Sequence, residues 1–212
     1  MNGAGAPAPT FIKAVEYWVP NADRSVLEFG SGLYGPGSRM ALISKAMCLG
    51  RGTGLPGLAW LQNAPVFLPD LGKGSGFLRG DSAVKVGINR GLALPCATPG
   101  RSQFVLALLS ALGTPIARRL EIWRPDFDHT ALILSTGFCE TQGLLDGVGT
   151  RVGKGQGSVG RCWLTGLPVT STRPASEPGD VGGLPHVSAL AVLPVLTVLT
   201  EGRFVAAVAL YF

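Results

Sequence analysis

The feature that most constrains this chain is a stretch that occurs twice. Gly50-Arg51-Gly52-Thr53-Gly54-Leu55-Pro56-Gly57-Leu58-Ala59-Trp60 leads into Pro65-Val66 and Asp70-Leu71. Gly153-Lys154-Gly155-Gln156-Gly157-Ser158-Val159-Gly160-Arg161-Cys162-Trp163 leads into Pro168-Val169. Each copy reads as a glycine-rich turn, a short helix carrying one Trp, a Pro-marked turn and a strand. The landmarks around the copies repeat in the same order. Val15-Glu16-Tyr17-Trp18-Val19-Pro20 matches Leu120-Glu121-Ile122-Trp123-Arg124-Pro125, Leu92–Pro95 matches Ala191–Pro194, and Phe104–Ala107 matches Phe204–Ala207. A chain with this self-similarity is two copies of one unit of roughly 100 residues. The boundaries are a flexible tail over 1–10, a first unit over 11–112 and a second over 116–212.

The expected elements of the first unit are strands over Phe11–Val19 and Ser25–Gly30, a helix over Ser38–Cys48, a helical turn over Leu58–Gln62 and a strand over Val66–Leu68. A helix over Asp81–Val86 and a hairpin of Gly91–Cys96 with Phe104–Ala111 complete it. The second unit repeats the order: strands Ile116–Trp123 and Thr130–Ser135, a weak helix over Leu144–Arg151 broken by Gly147 and Gly149, and a strand at Pro168–Thr170. A crossover over Arg173–Pro185 and a hairpin of Ala189–Thr197 with Phe204–Phe212 close the chain.

The pattern Trp18-Val19-Pro20, Gly52–Gly57, Trp60, Pro65-Val66, Asp70-Leu71, Phe77-Leu78-Arg79, Gly87-Ile88 and Leu92–Pro95 resembles the GAF family of sensory domains. A more degenerate version recurs at Trp123-Arg124-Pro125, Gly155–Gly160, Trp163, Pro168-Val169 and Leu190–Pro194. The resemblance implies an α+β fold of two tandem GAF/PAS-like repeats. Each is an antiparallel sheet with short helices on one face, and the pair is related as a pseudo-twofold duplication. It also implies a small-molecule pocket between one sheet face and the crossover, with Trp60, Phe67, Asp70, Phe77, Arg79 and Ile88 as candidate lining residues in the first unit. GAF domains usually carry long terminal helices over the other sheet face. Here the first strand begins near the N-terminus, and only Gly113-Thr114-Pro115 separates the units.

Phe104–Leu109 and Val205–Leu210 are apolar at consecutive positions, as strands buried on both faces are. The expectation is that the uncovered faces pack against each other or against another subunit, with Phe104, Leu106, Leu108, Phe204, Val208 and Leu210 as interface candidates.

Composition sharpens this. Only 15% of residues are charged while 46% are hydrophobic, against about 25% charged in an average domain. That is too apolar for disorder. No apolar run reaches the ~20 residues of a membrane-spanning helix, and 1–10 lacks the features of a signal peptide. Cys48, Cys96, Cys139 and Cys162 form no CxxC pair and do not coincide between repeats. They read as reduced thiols of a soluble protein in a reducing compartment, cytoplasm or plastid stroma.

The net charge of +5 belongs to the first unit, at Lys73, Arg79, Lys85, Arg90 and Arg101. A solvated face is the simpler reading, and contact with an acidic protein partner the functional one; no basic run interleaved with aromatics points to nucleic acid.

Both glycine stretches satisfy GxGxxG, but only about one and a half helical turns fit before Pro65, and Pro56 removes a donor. They read as structural turns, not nucleotide sites. His129 belongs to a hairpin turn and His186 to the second crossover, with no spacing for a metal or haem. No cofactor is expected. A reductase branch of the family acts on free methionine sulfoxide through paired cysteines, an arrangement these four do not form.

Three functions remain. The leading one is a non-enzymatic structural protein that self-associates through apolar sheet faces and edges into a dimer or a larger scaffold. Its duplicated, effector-free plan resembles the shell-forming proteins of algal pyrenoids at the level of plan alone. The alternative is a small-molecule-sensing GAF module acting through a separate partner. The third is a thiol enzyme built on Cys48 or Cys96.

Overall fold

Two antiparallel sheets with the same strand order make up the structure, a computed structural model that describes residues 10–35, 39–72, 74–96, 103–145, 149–173, 187–196 and 203–212. The first half contains β1 (Ala14–Pro20), β2 (Val26–Tyr34), α1 (Arg39–Lys45), β3 (Cys48–Gly50), α2 (Gly54–Gln62), β4 (Val66–Leu68), α3 (Gly80–Lys85), β5 (Arg90–Cys96) and β6 (Phe104–Ser110). Its sheet runs β3-β2-β1-β6-β5-β4. The second half contains β7 (Arg119–Pro125), β8 (Leu132–Cys139), β9 (Gly143–Leu144), β10 (Arg151–Val152), α4 (Gly157–Thr165), β11 (Val169–Ser171), β12 (Leu190–Leu196) and β13 (Phe204–Tyr211). Its sheet runs β10-β8-β7-β13-β12-β11, and β9 pairs with β8.

The duplication extends to register. Glu16 lies opposite Gly32 and Ala107, and Glu121 lies opposite Gly137 and Ala209. A bulge interrupts each central pair at the same place, between Tyr17 and Trp18 and between Ile122 and Trp123. Each bulge tucks the following Trp into the core on the helix-covered face of its sheet.

The glycine-rich turns are alike atom by atom. The Gly52 N–H donates to the Gly57 carbonyl at 2.8 Å, and the Gly155 N–H to the Gly160 carbonyl at 2.8 Å. A Cβ on Gly57 would fall onto the Gly50 carbonyl oxygen, and one on Gly160 onto that of Gly153. The third glycine of each motif therefore allows helix and incoming strand to touch. The first-half helix also starts earlier than expected, at Gly54 rather than Leu58. Pro56 is tolerated because first-turn N–H groups have no intrahelical acceptor. The motif does follow a strand, but β3 and β4 are opposite, antiparallel edges of one sheet, so no parallel βαβ unit is formed.

The other sheet faces pack back to back. Leu92 and Leu94 of β5 join Leu120 and Ile122 of β7, Val195 of β12, and Ala206, Val208 and Leu210 of β13 in one buried cluster. Phe67, Leu108 and Leu193 pack onto its margin. Of the two sequence-based alternatives for these faces, the fold adopts the intramolecular one. The seam is reinforced by the Phe67 and Phe138 rings, with centroids 5.6 Å apart. Arg90 bonds the Glu140 carboxylate at 3.0 and 3.1 Å and also donates to the Pro69 carbonyl.

Three expectations need correction. The helix over Leu144–Arg151 does not form in the described part: Gly143–Leu144 and Arg151–Val152 are short edge strands, and 146–148 lie outside the described residues. Gly149, inside the expected range, takes a left-handed φ of 97°, which no helix interior accepts. β2 continues to Tyr34, four residues past its expected end. The basic residues of the first half do not share one solvated face. Arg79 and Arg90 are buried in ion pairs, Lys85 is exposed, and Lys73 and Arg101 lie outside the described residues. The tail over 1–9 and most of the second crossover, with His186, also lie outside them. No helix among the described residues is long and apolar enough to cross a membrane.

Gly57→Ala and Gly160→Ala should each destabilise the fold by about 1–3 kcal/mol through the forced separation of strand and helix. Denaturant unfolding of the two variants measures this, and similar losses are expected because the two contacts are equivalent.

Candidate functional site

The helix-covered face of the first sheet would hold a ligand if the chain used one as the GAF resemblance implies. At its centre is an acid. Glu16 points inward from β1, fully buried. Its Oε2 accepts from the Trp18 indole N–H at 3.0 Å and from Arg79 Nη2 at 2.8 Å. Its Oε1 accepts from the Tyr34 hydroxyl at 2.7 Å and from Arg79 Nη1. Ser44 of α1 stands 3.1 Å from Oε1 and also receives Arg79. The guanidinium reaches this position from the loop before α3, with the Phe77 ring 4.8 Å and the Trp18 ring 5.5 Å from its carbon.

Burial by itself would raise the Glu16 carboxyl. The bonds to Arg79 and its charge, with the Tyr34 and Trp18 donors, outweigh that and hold it below the usual range. The Tyr34 hydroxyl is pushed up, first by burial and then by the Glu16 charge. An acid held ionised by a buried cation and by the Trp18, Tyr34 and Ser44 side chains is a structural polar core rather than a proton donor.

The second half has the same acid with a different cation. The Trp123 indole N–H donates to Glu121 Oε2 at 2.9 Å, the Tyr211 hydroxyl donates to the same oxygen at 2.9 Å, and Arg119 Nε donates to Oε1 at 2.6 Å. Arg119 is two residues away on the same strand, whereas Arg79 comes from the crossover.

The six candidate pocket residues do not act as one lining. Trp60, Phe77 and Ile88 are buried in the first core cluster, and Arg79 is spent on Glu16. Phe67 faces the other way: Val66 and Leu68 pack on the first core and Phe67 on the inter-sheet cluster, as strand alternation requires. Asp70 is exposed and caps a turn through the Gly72 N–H at 2.8 Å.

A cavity of ≈ 120 Å³ opens beside this core, lined by Phe11, Lys13, Tyr34, Gly35, Met40, Val86 and Ile88. Of the six candidates only Ile88 reaches it. In the second half a cavity of ≈ 10 Å³ lies by Ser158 and Tyr211, room for about one water molecule.

The interface candidates are also largely engaged within the chain. Val208 and Leu210 are buried in the inter-sheet cluster and Leu108 packs on it. Phe204 lies 6.4 Å from Trp163 and Phe104 lies 5.0 Å from Tyr17, centroid to centroid, while Leu106 is half-buried.

The paired acids were missed in the sequence although a signal was present. Glu16-x-Trp18 and Glu121-x-Trp123 place a carboxylate at the same offset in an otherwise apolar strand in both repeats. The paired aromatics, Trp60 and Trp163, each lie under a cation of the glycine turn: Arg51 at 3.9 Å and Lys154 at 4.9 Å from the ring centroid.

His129 occupies the hairpin turn with a left-handed φ of 54°, as Arg24 does at 58° in the first half. Asp126 organises that turn by accepting from the Thr130 and Ala131 N–H groups. Burial raises its carboxyl, but these bonds, the Thr130 hydroxyl and Arg151 bring it down to about 2. Among the described residues no three His, Cys, Asp or Glu side chains converge as a metal site. All four cysteines are free thiols. Burial pushes Cys96 up, and pushes Cys162 up to about 11.

No protein-family model and no curated protein matches the chain. Solved structures do, over about half of it. The free methionine-R-sulfoxide reductase of Neisseria meningitidis, solved with its substrate, is 15% identical over 50% of this chain and 55% of its own, with a TM-score of 0.37. The A. aeolicus nlh2 GAF domain in an inactive state is 16% identical over 47% and 58%, with a TM-score of 0.37. The GAF domain/HD domain protein of Geobacter sulfurreducens is 12% identical over 49% and 66%, with a TM-score of 0.40. The chain spans little more than half the length of the first two structures.

Glu16→Gln should cost about 3–5 kcal/mol, because it leaves Arg79 buried without a counter-charge. The double variant Glu16→Gln/Arg79→Met should recover much of the loss, which a double-mutant cycle in urea would read. Glu16 and Asp126 both have folded values below their unfolded ones. Their contribution is complete above the unfolded carboxylate range and is lost as pH falls through the folded values. Stability of the wild type should therefore drop below roughly pH 4, with a shallower acid slope in Glu16→Gln.

Proposed function

We propose that the chain is a non-enzymatic structural protein that self-associates, a scaffold rather than a catalyst or sensor. The observation that carries this reading is the occupied centre of the first half. Where the GAF resemblance puts a ligand, the Arg79 side chain bonds Glu16, with side chains 2% and 0% exposed. A cation from the crossover neutralises the central acid, and the crossover is tied to the sheet without a ligand. Burial raises Cys96 and Cys162, which lowers the thiolate fraction at those two positions.

Self-association is supported by the surface. The chain carries 15% charged residues, and Phe127, Leu33 and Leu144 are exposed at 98%, 78% and 69%. Because the sheet faces are used within the chain, the contacts fall to edges and loops.

The alternative, a small-molecule module acting through a separate partner, is favoured by one feature, the ≈ 120 Å³ cavity by Tyr34 and Ile88. Its volume suits only a small occupant.

Light scattering from micromolar to high concentration, with electron microscopy of anything large, tests the scaffold reading. Concentration-dependent dimers or ordered assemblies are expected. A monomer at every concentration, with a small molecule identified by mass spectrometry of the denatured protein, would replace it with the sensor reading.

A further inference from the structure

We infer that the outer edge of β2 over Phe29–Tyr34 is the docking surface for a second copy of this chain, through antiparallel pairing of the two β2 edges. This rests on the self-association reading above. On its inner side β2 pairs with β1 from Leu27 to Tyr34. On its outer side it pairs with β3 only at Val26, Leu27 and Glu28. Among the described residues no strand pairs with the outer side of Phe29–Tyr34.

The second half shows what such an edge takes. Leu132 and Ile133 of β8 pair with β10, and Phe138 and Cys139 pair with β9, both antiparallel. Between them, Leu134 donates to the Thr150 carbonyl at 3.0 Å and accepts from the Gly149 N–H at 3.1 Å, while the Leu145 N–H donates to the Gly137 carbonyl at 3.0 Å. The equivalent edge is thus closed by antiparallel backbone from the same chain, and the described residues of the first half include no such complement.

The chemistry of the open edge selects a copy of itself. Phe29-Gly30-Ser31-Gly32-Leu33-Tyr34 contains no charge and no proline, the residues by which exposed edges are normally protected. Gly30, Ser31 and Leu33 are exposed. Two such strands in antiparallel array set uncharged residues against uncharged residues. The nearest charge, Glu28, lies in the segment already paired with Cys48. A twofold contact of this kind is isologous and closes on itself. Because the matching edge of the second half is filled, each chain offers this contact once, and the product is a discrete dimer with one sheet continuing across it.

Two measurements test this. Hydrogen exchange of the wild-type protein at low and high concentration should show the amides of 29–34 slowing as the dimer forms, with those of 132–139 unchanged. Leu33→Lys places a charge at a position 78% exposed, so its thermal melting should match wild type while its dimer dissociation constant rises at least tenfold. Leu42→Lys, at a 66% exposed position of α1, should leave both unchanged. If the protein associates but Leu33→Lys associates equally well and the 29–34 amides do not slow, the edge is not the contact, and self-association proceeds elsewhere. A monomer at all concentrations removes both this inference and the reading it rests on.

Discussion

The fold depends on covering two sheets on both sides. Strands β5, β6, β12 and β13 carry apolar side chains at consecutive positions, so each sheet has two apolar faces. One face of each is covered by the local helices. The other two cover each other, and Leu92, Ile122 and Val208 show the result, each at most 2% exposed. Hydrophobic burial has no direction of its own. The direction comes from the edges of the seam, where Arg90, Glu140, Phe67 and Phe138 interlock. Arg90 makes this possible because its planar fork can meet a carboxylate and a backbone carbonyl at once.

The helix-covered cores apply one solution with two variations. A glutamate at the centre of an apolar strand is expensive unless it is fully bonded. Both halves meet the need with a Trp two residues on and a Tyr hydroxyl, from β2 in one and β13 in the other. They differ in the source of the cation. Arg79 comes from the crossover and fastens it to the sheet, so the ion pair organises tertiary structure. Arg119 comes from the same strand as its acid and fastens nothing distant. The two units are therefore alike as folds and unlike in what their buried charge holds in place.

Much of this was legible in the sequence because repetition filters local noise. The Trp landmarks, the glycine turns and the last hairpin of each half fall where the repeat places them. The illegible part has identifiable physical causes. Phe67 was read as pocket-facing from the family pattern, but strand parity between Val66 and Leu68 sends it to the other face. Arg79 and Arg90 were counted as surface charge because sequence does not show that Glu16 and Glu140, 63 and 50 residues away, would meet them. Residues 144–151 were read as a helix from their place in the repeat, and the left-handed backbone at Gly149 is incompatible with one. Glu16 and Glu121 were visible as part of the repeat, yet their meaning needed the inward-facing register that only pairing supplies.

The two halves part most at β2 and β8. A duplicated unit begins with identical edges, and an edge left open in both would let copies add without limit. Here β8 is closed on its outer side by residues 143–145 and 149–152, while the corresponding stretch of the first half forms α1 and covers the core through Met40 and Ser44. Using that segment as a helix provides Ser44 to the Glu16–Arg79 cluster, and among the described residues no strand pairs with the outer side of Phe29–Tyr34. The same segment cannot do both. The buried ion pair of the first half and its open edge are thus linked consequences of one local choice, and the second half, whose acid finds its cation on its own strand, is free to make the opposite one.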